Sequence, residues 1–569
     1  MRTHSLGRTL CLVAALAAAS LAAVGAASPD DERITLEMIA AAEALLGLEL
    51  SLSDRYEILD GLAEYREDYA LLHAFPYDAS TLPSVVFDPI LPGMTFPTER
   101  RPFTYSDVEV VRPDDLEEVA FYTVPQLAKL IRSGQVTSTE LTRMYLDRIR
   151  HLNPTYLFAI TVTEELALEQ AARADAEIAA GNYRGPLHGI PYGIKDLFSV
   201  AGYPTTWGAR PYKDRVFDKD ASVVRKLEEA GAVLVAKLST GALATGEDWF
   251  GGMTRNAWNP RWSAGGSSAG PGSATAAGCV GFSIGTESSG SMISPCDLNG
   301  VTGLRPTFGR VSRVGMMSTS WSFDKVTPMC RSVEGCAIVF NAIYGPDGKD
   351  NTLIDLPFNW DPDFDIRTLK IGYRTLFLEG ALMEGNPVDR RQIREATLEA
   401  LQVFRDAGFD LVPLDLGGGQ NVHNPCSHLA GLMMMAENAA ANDMIFHGDE
   451  MEPLDTLASL DVDWPRYWKE SHFIPAVEYL QASRCRTVVM ETMHDVMETV
   501  DVYIEITWTS QWDTNLTGQP CVVAPCGFLS SGRPMSVSFI GKLFGEAELL
   551  AVAKWYQDAT GFHLIHPDL

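Results

Sequence analysis

Three short segments hold side chains that could do chemistry: GIPYGIKDLF at residues 189–198, GGSSAGPGSATAAG at 265–278 and GTESSGSMISP at 285–295. Serine hydroxyls can attack a carbonyl carbon, and a neutral lysine can take the proton they lose. Hydrolysis therefore competes with phosphate binding and with a plain linker. A Walker-type phosphate loop needs a lysine directly after its glycines, and none follows residues 265–278. Gly270-Pro271-Gly272 does not continue to a third glycine at the dinucleotide-binding spacing. A flexible tether would be flanked by polar sequence, whereas this stretch runs into SATAAGCVGFSIG, which is small and apolar. The pattern predicts a loop that opens a tightly buried helix, followed by a strand.

Two serine motifs compete within this region. Gly266-Ser267-Ser268-Ala269-Gly270 fits the G-x-S-x-G nucleophile elbow and nominates Ser268, with His494, His563 and His566 available as partners. The elbow should follow a buried strand, and the preceding NPRWS does not read as one. Ser322-Phe323-Asp324-Lys325 fits S-x-x-K, yet Thr327-Pro328 stops a helix there and neither SDN nor KTG accompanies it, so it receives no role.

The three segments occur in order with NGVTGLRPTFGRVS at 299–312, preceded by IRSGQVTSTEL and followed by NLTGQPCVVAPCGF and FIGKLFGEAELLAVA. Together they resemble the amidase signature family of serine hydrolases over about residues 124–569. The resemblance implies a catalytic triad of Ser291 as nucleophile, Ser267 as a bridging serine after a cis peptide bond, and Lys195 as base. It also implies an oxyanion hole from the backbone N–H groups of Ser288, Ser289, Gly290 and Ser291, with no metal and no cofactor. The expected reaction is hydrolysis of a carboxamide through an acyl-enzyme on Ser291. Two alternatives stay open. One is the glutamine-hydrolysing component of a tRNA-dependent amidotransferase, its A subunit, which resembles the chain in the same motifs; the other is a catalytically silent binding protein on the same fold. The silent reading is motivated by Thr286-Glu287-Ser288-Ser289-Gly290-Ser291, where the family usually has T-D-x-G-G-S. If the Ser289 position requires positive φ, serine there would be strained.

Elements must place these residues. Apolar positions at helical spacing predict two helices within 33–75, a small appendage followed by a Pro-rich tether up to residue 113. From residue 114 onward, helices alternate with short apolar strands such as YLFAITV, VLVAKL, LKIGYR, VDVYIEIT and CVVAPCGF. That alternation predicts an α/β fold. The resemblance makes it an amidase signature fold, a large mixed sheet covered by helices on both faces. Thr137 or Ser138 is predicted to cap a helix with Glu140 in its first turn. Residues 420–500 read as a Met-rich helical region, whose methionines suit a core.

Composition narrows the partners. A formal charge of −29 repels phosphates and anionic lipid surfaces, so nucleic acid is not an expected partner and a small amide is. Residues 1–27 have a basic start, an apolar run and a small-residue end, the pattern of a cleaved secretory signal. This predicts export, to a periplasm or outside the cell, without stable membrane insertion; a homodimer is compatible with the sequence. The cysteines show neither C-x-x-C spacing nor a zinc-like histidine pattern.

Overall fold

The computed structural model describes residues 33–74, 83–376, 378, 385–416, 429–447 and 464–569. The leader segment and Cys426 lie outside them. The chain divides into a smaller unit, Met1–Asp78 with Asn442–Asp449, and a larger one, Ala79–Ala441 with Glu450–Leu569. In the smaller unit the expected helical pair is Leu36–Leu46 and Leu52–Ala74, joined by an Arg55–Glu43 ion pair at 2.8 Å. The short helix Asp443–His447 belongs to the same unit.

The larger unit is built on an eleven-stranded mixed sheet. Its strands are β1 (Ala159–Val162), β2 (Pro191–Lys195), β3 (Val233–Leu238), β4 (Phe282–Glu287), β5 (Thr302–Arg305), β6 (Lys325–Cys330), β7 (Ile371–Arg374), β8 (Val412–Leu414), β9 (Val502–Ile506), β10 (Cys521–Phe528) and β11 (Pro534–Gly541). They lie in the order β1-β3-β2-β4-β6-β5-β10-β11-β9-β7-β8. β2 runs parallel to both β3 and β4, and β4 antiparallel to β6. The central strands β2, β3, β4 and β6 are buried along their whole length; VLVAKL of β3 reads accordingly as a nearly continuous apolar run, whereas FSIGTE of β4 and KVTPMC of β6 carry polar side chains into the buried sheet. Thr137 caps the Ser138–Tyr156 helix, and Glu140 closes the predicted capping box. The Pro-rich segment packs within the larger unit: Phe87 lies against Phe308 at 5.0 Å between ring centroids and Phe96 against Phe544 at 4.8 Å.

The Gly/Ser stretch folds as its composition suggests. Ala269–Ala276 is a wholly buried helix that leads into β4. A Cβ on Gly270 would meet the backbone nitrogen of Ser239 at 2.3 Å, so the glycine allows this helix to approach the strand end. Gly270→Ala is expected to cost about 2–3 kcal/mol, because backbone cannot yield as a side chain can; a matching drop in urea midpoint checks this. NPRWS is no buried strand, as expected: Asn259–Ser263 is a partly exposed strand paired with Arg255–Asn256 outside the main sheet, so the buried strand an elbow requires is missing.

In the Met-rich region, Met433 and Met434 join Phe323, Val489 and Leu516 in one buried cluster, a core role. The six free cysteines described are all buried, and Cys485 is disulfide-bonded. No described helix is long and apolar enough to cross a membrane.

Candidate active site

Three elements converge on one point. β2 ends at Lys195, the loop before the Ala269–Ala276 helix supplies Ser267 and Ser268, and the turn after β4 supplies residues 288–291. Because β2 and β4 are parallel neighbours, the end of one lies beside the end of the other. The Gly266–Ser267 peptide bond is cis, as the resemblance implies.

The fully buried Lys195 Nζ donates to Ser267 Oγ at 2.8 Å, Thr286 Oγ1 at 2.7 Å and Ser268 Oγ at 3.2 Å. Ser267 Oγ donates in turn to Ser291 Oγ at 2.9 Å. Hydroxyl rotors reverse freely. Once Lys195 is neutral, the same contacts can run the other way, from Ser291 O–H to Ser267 and from Ser267 O–H to the lysine lone pair. Among the described residues no carboxylate forms an ion pair with Lys195. Burial lowers its pKa to about 7, against the opposing pull of Glu287 and Asp324. The adjacent Asp196, which offers itself in sequence as an ion-pair partner, is paired elsewhere: its Oδ1 lies 2.6 Å from Lys237 Nζ on β3, and its Oδ2 accepts from Thr206.

Ser268 cannot be the attacking group in this arrangement. It is fully buried; its Oγ donates to the carbonyl of Thr286 at 3.0 Å and accepts from the Thr286 N–H at 3.1 Å and from Lys195. None of His494, His563 and His566 is among its hydrogen-bond partners. Ser291, by contrast, is partly exposed.

The expected oxyanion loop needs one correction. The Gly290 N–H is engaged by the carboxylate of Glu287, which also accepts from Met292 N–H at 2.5 Å and Ile293 N–H at 3.3 Å. That removes Gly290 from the four expected amides and makes it a fixture of the turn. The N–H groups of Ser288, Ser289 and Ser291 have no acceptor among the described residues, leaving three donors beside the Ser291 hydroxyl. Nor is Ser289 strained. Positive φ falls on Gly290, at +104°, and not on Ser289, whose carbonyl accepts from Gln511 Nε2 at 2.6 Å. A Cβ on Gly290 would lie 2.7 Å from the Trp508 ring, so glycine is required there twice over.

Sequence reasoning left out Thr286 and Ser268 as holders of the lysine, and Glu287 and Gln511 as supports of the turn. Thr286 and Glu287 lie inside the GTESSGSMISP segment; nothing in their spacing says which way they point. Among the described residues one group could hold a metal ion: His73, Asp443 and His447 in the smaller unit. Asp443 faces His73 Nδ1 at 2.9 Å and His447 Nε2 at 3.4 Å. Two imidazoles on one carboxylate account for that cluster without an ion.

A buried lysine in hydrogen-bonded line with one serine and, beyond it, a partly exposed serine is an arrangement that can pass a proton away from an attacking hydroxyl. Residues 140–511, more than half of the chain, match the family described as Amidase, and the chain belongs to it. It is 33% identical over 497 residues to the A subunit of the glutamyl-tRNA(Gln) amidotransferase of Roseiflexus sp. (strain RS-1), covering 79% of this chain and 98% of that protein. Among solved structures it is similar to the native peptide amidase of Stenotrophomonas maltophilia, with TM-score 0.68 and 27% identity over 78% of this chain and 98% of that one. It is also similar to an amidase family protein from Bacillus anthracis str. Ames, with TM-score 0.69 and 26% identity over 80% and 93%. The protein is thus an enzyme of the amidase family, acting on C–N bonds of amides.

Proposed function

We propose that the chain hydrolyses a carboxamide through an acyl-enzyme on Ser291, with Ser267 and Lys195 as proton relay. The observation that carries this is the unbroken line of contacts from Ser291 Oγ through Ser267 Oγ to a lysine whose pKa burial brings to about 7. Ser291 Oγ bonds to the amide carbon as its proton passes to Ser267, whose own proton passes to Lys195. The carbonyl oxygen becomes an oxyanion facing the N–H groups of Ser288, Ser289 and Ser291. Lys195 then returns a proton through Ser267 to the amide nitrogen, the C–N bond breaks, and ammonia or an amine leaves. Water attacks the acyl-enzyme by the same relay, which releases the carboxylate and restores the Ser291 hydroxyl.

Two finer readings differ in substrate and place. The curated relatives favour glutamine as the amide, with ammonia passed to a partner as in the A subunit of an amidotransferase, and across whole chains this is the better supported one. A stand-alone exported amidase is supported by the leader-like residues 1–27, by the disulfide at Cys485, which suits an oxidising compartment, and by the likeness to a peptide amidase. Purified chain supplied with glutamine, primary amides and peptide amides separates them. Turnover of simple amides by the chain alone supports the exported amidase. Glutamine hydrolysis that appears only with amidotransferase partner subunits supports the amidotransferase component, and no hydrolysis under either condition rejects the proposal.

A further inference from the structure

The S-x-x-K segment Ser322–Lys325, which the sequence leaves without a role, sits under the oxyanion loop and reaches it on two sides. On one side Asp324 Oδ1 accepts from Ser288 Oγ at 2.5 Å. Its other oxygen closes the preceding loop on itself, accepting from Ser318 Oγ at 3.0 Å, Thr319 N–H at 2.8 Å and Ser320 N–H at 3.0 Å. On the other side Lys325 Nζ donates to Asn515 Oδ1 at 2.9 Å, and Asn515 Nδ2 donates to Glu287 Oε1 at 3.1 Å, the carboxylate that holds Gly290, Met292 and Ile293. Asp324, Lys325, Asn515 and Glu287 are all buried.

The segment is anchored in turn to the Met-rich helices. Glu437, on the Leu429–Ala441 helix, accepts from Ser320 Oγ and Ser322 Oγ at 2.6 Å each, and from Ser322 N–H and Tyr479 O–H at 2.8 Å each. Arg486, on the Ala476–Thr499 helix, donates to Ser322 Oγ at 2.8 Å, Ser322 O at 2.9 Å and Leu516 O at 2.6 Å. Ser322 therefore links a carboxylate and a guanidinium through its hydroxyl, and each of the two groups is hydrogen-bonded in the core.

We propose that Asp324 is a positioning residue for the oxyanion hole: by holding Ser288 Oγ it aims the free amides of residues 288, 289 and 291, while the Lys325–Asn515–Glu287 arm fixes the far side of the same turn. The proposal rests on the assignment of Ser291 as nucleophile. Its physical basis is that an oxyanion donor works only when preorganised, and losing one such donor costs about 10²–10³ in rate. Misaiming rather than deleting the donors costs less, about tenfold.

Ser288→Ala isolates the contact, since it keeps the backbone N–H and removes only the hydroxyl that Asp324 holds. The test measures the rate of fluorophosphonate labelling at Ser291, with kcat and KM on an amide substrate, for wild type, Ser288→Ala, Ser288→Thr, Asp324→Asn and the double variant Ser288→Ala/Asp324→Asn. Expected are labelling and kcat about tenfold slower in Ser288→Ala with KM within about twofold, recovery in Ser288→Thr, and a double variant no slower than the slower single one. Unchanged labelling in Ser288→Ala overturns the proposal, as does a rise in KM at constant kcat or a double variant that multiplies the two losses. Should Asp324→Asn fail to fold, the Ser288 pair alone decides. Wild type labelled elsewhere than Ser291 rejects the nucleophile assignment and this proposal with it, whereas wild type labelled at Ser291 with Ser288→Ala unchanged rejects this proposal alone.

Discussion

Ser291→Ala is expected to lower kcat by about 10⁴–10⁶-fold while leaving the fold and substrate binding intact, because a missing nucleophile cannot be compensated by its relay. The substitution removes one oxygen from a partly exposed turn. The carbonyl of residue 291, which accepts from Ser268 N–H at 3.0 Å, belongs to the backbone and is retained. Initial rates on a primary amide, with an unchanged thermal midpoint, check this. A loss of only a few fold would place the chemistry on another residue.

The second large effect concerns Lys195. Only the neutral amine can accept a proton, and burial sets its pKa at about 7, so kcat/KM is expected to fall about tenfold per pH unit below about 7 and to level off above it. Lys195→Met is expected to lose about 10²–10⁴-fold in rate and to lose that acid limb of the profile. Stability should move the other way. The folded amine titrates below its unfolded value of 10.5, so the cost of burying its charge is full below about 7 and fades as pH rises towards 10.5. Lys195→Met should therefore melt higher than wild type, with the gain largest at acid pH. A flat rate profile from about pH 5 to about pH 9 in wild type would contradict a lysine base.

How far the sequence could lead depended on whether the deciding contact was local. The helix after the Gly/Ser loop, the Thr137 capping box and the order of strands along the chain follow from spacing and small residues within a few positions of each other. The partner of Asp196 does not. Lys237 comes beside it because β2 and β3 pair in parallel with Ile194 opposite Lys237, a register that no motif encodes. The two ends of the Lys325–Asn515 contact are 190 residues apart in the chain, so a four-residue motif read alone gave no sign of its use. The engagement of the Gly290 amide is hidden in the sequence for a related reason. Residue types in the turn show which N–H groups exist, but the carboxylate of Glu287 curling back decides which of them are free. Ser289 shows the converse, since the φ that demands glycine falls on Gly290 and leaves the serine of the motif unstrained.

The whole mechanism depends on Ser291, 24 residues beyond its relay partner Ser267, being the attacking group. Labelling the full chain with a fluorophosphonate and mapping the modified peptide decides this. A single adduct on Ser291 that Lys195→Met suppresses is the expected result; an adduct on Ser268 would contradict it.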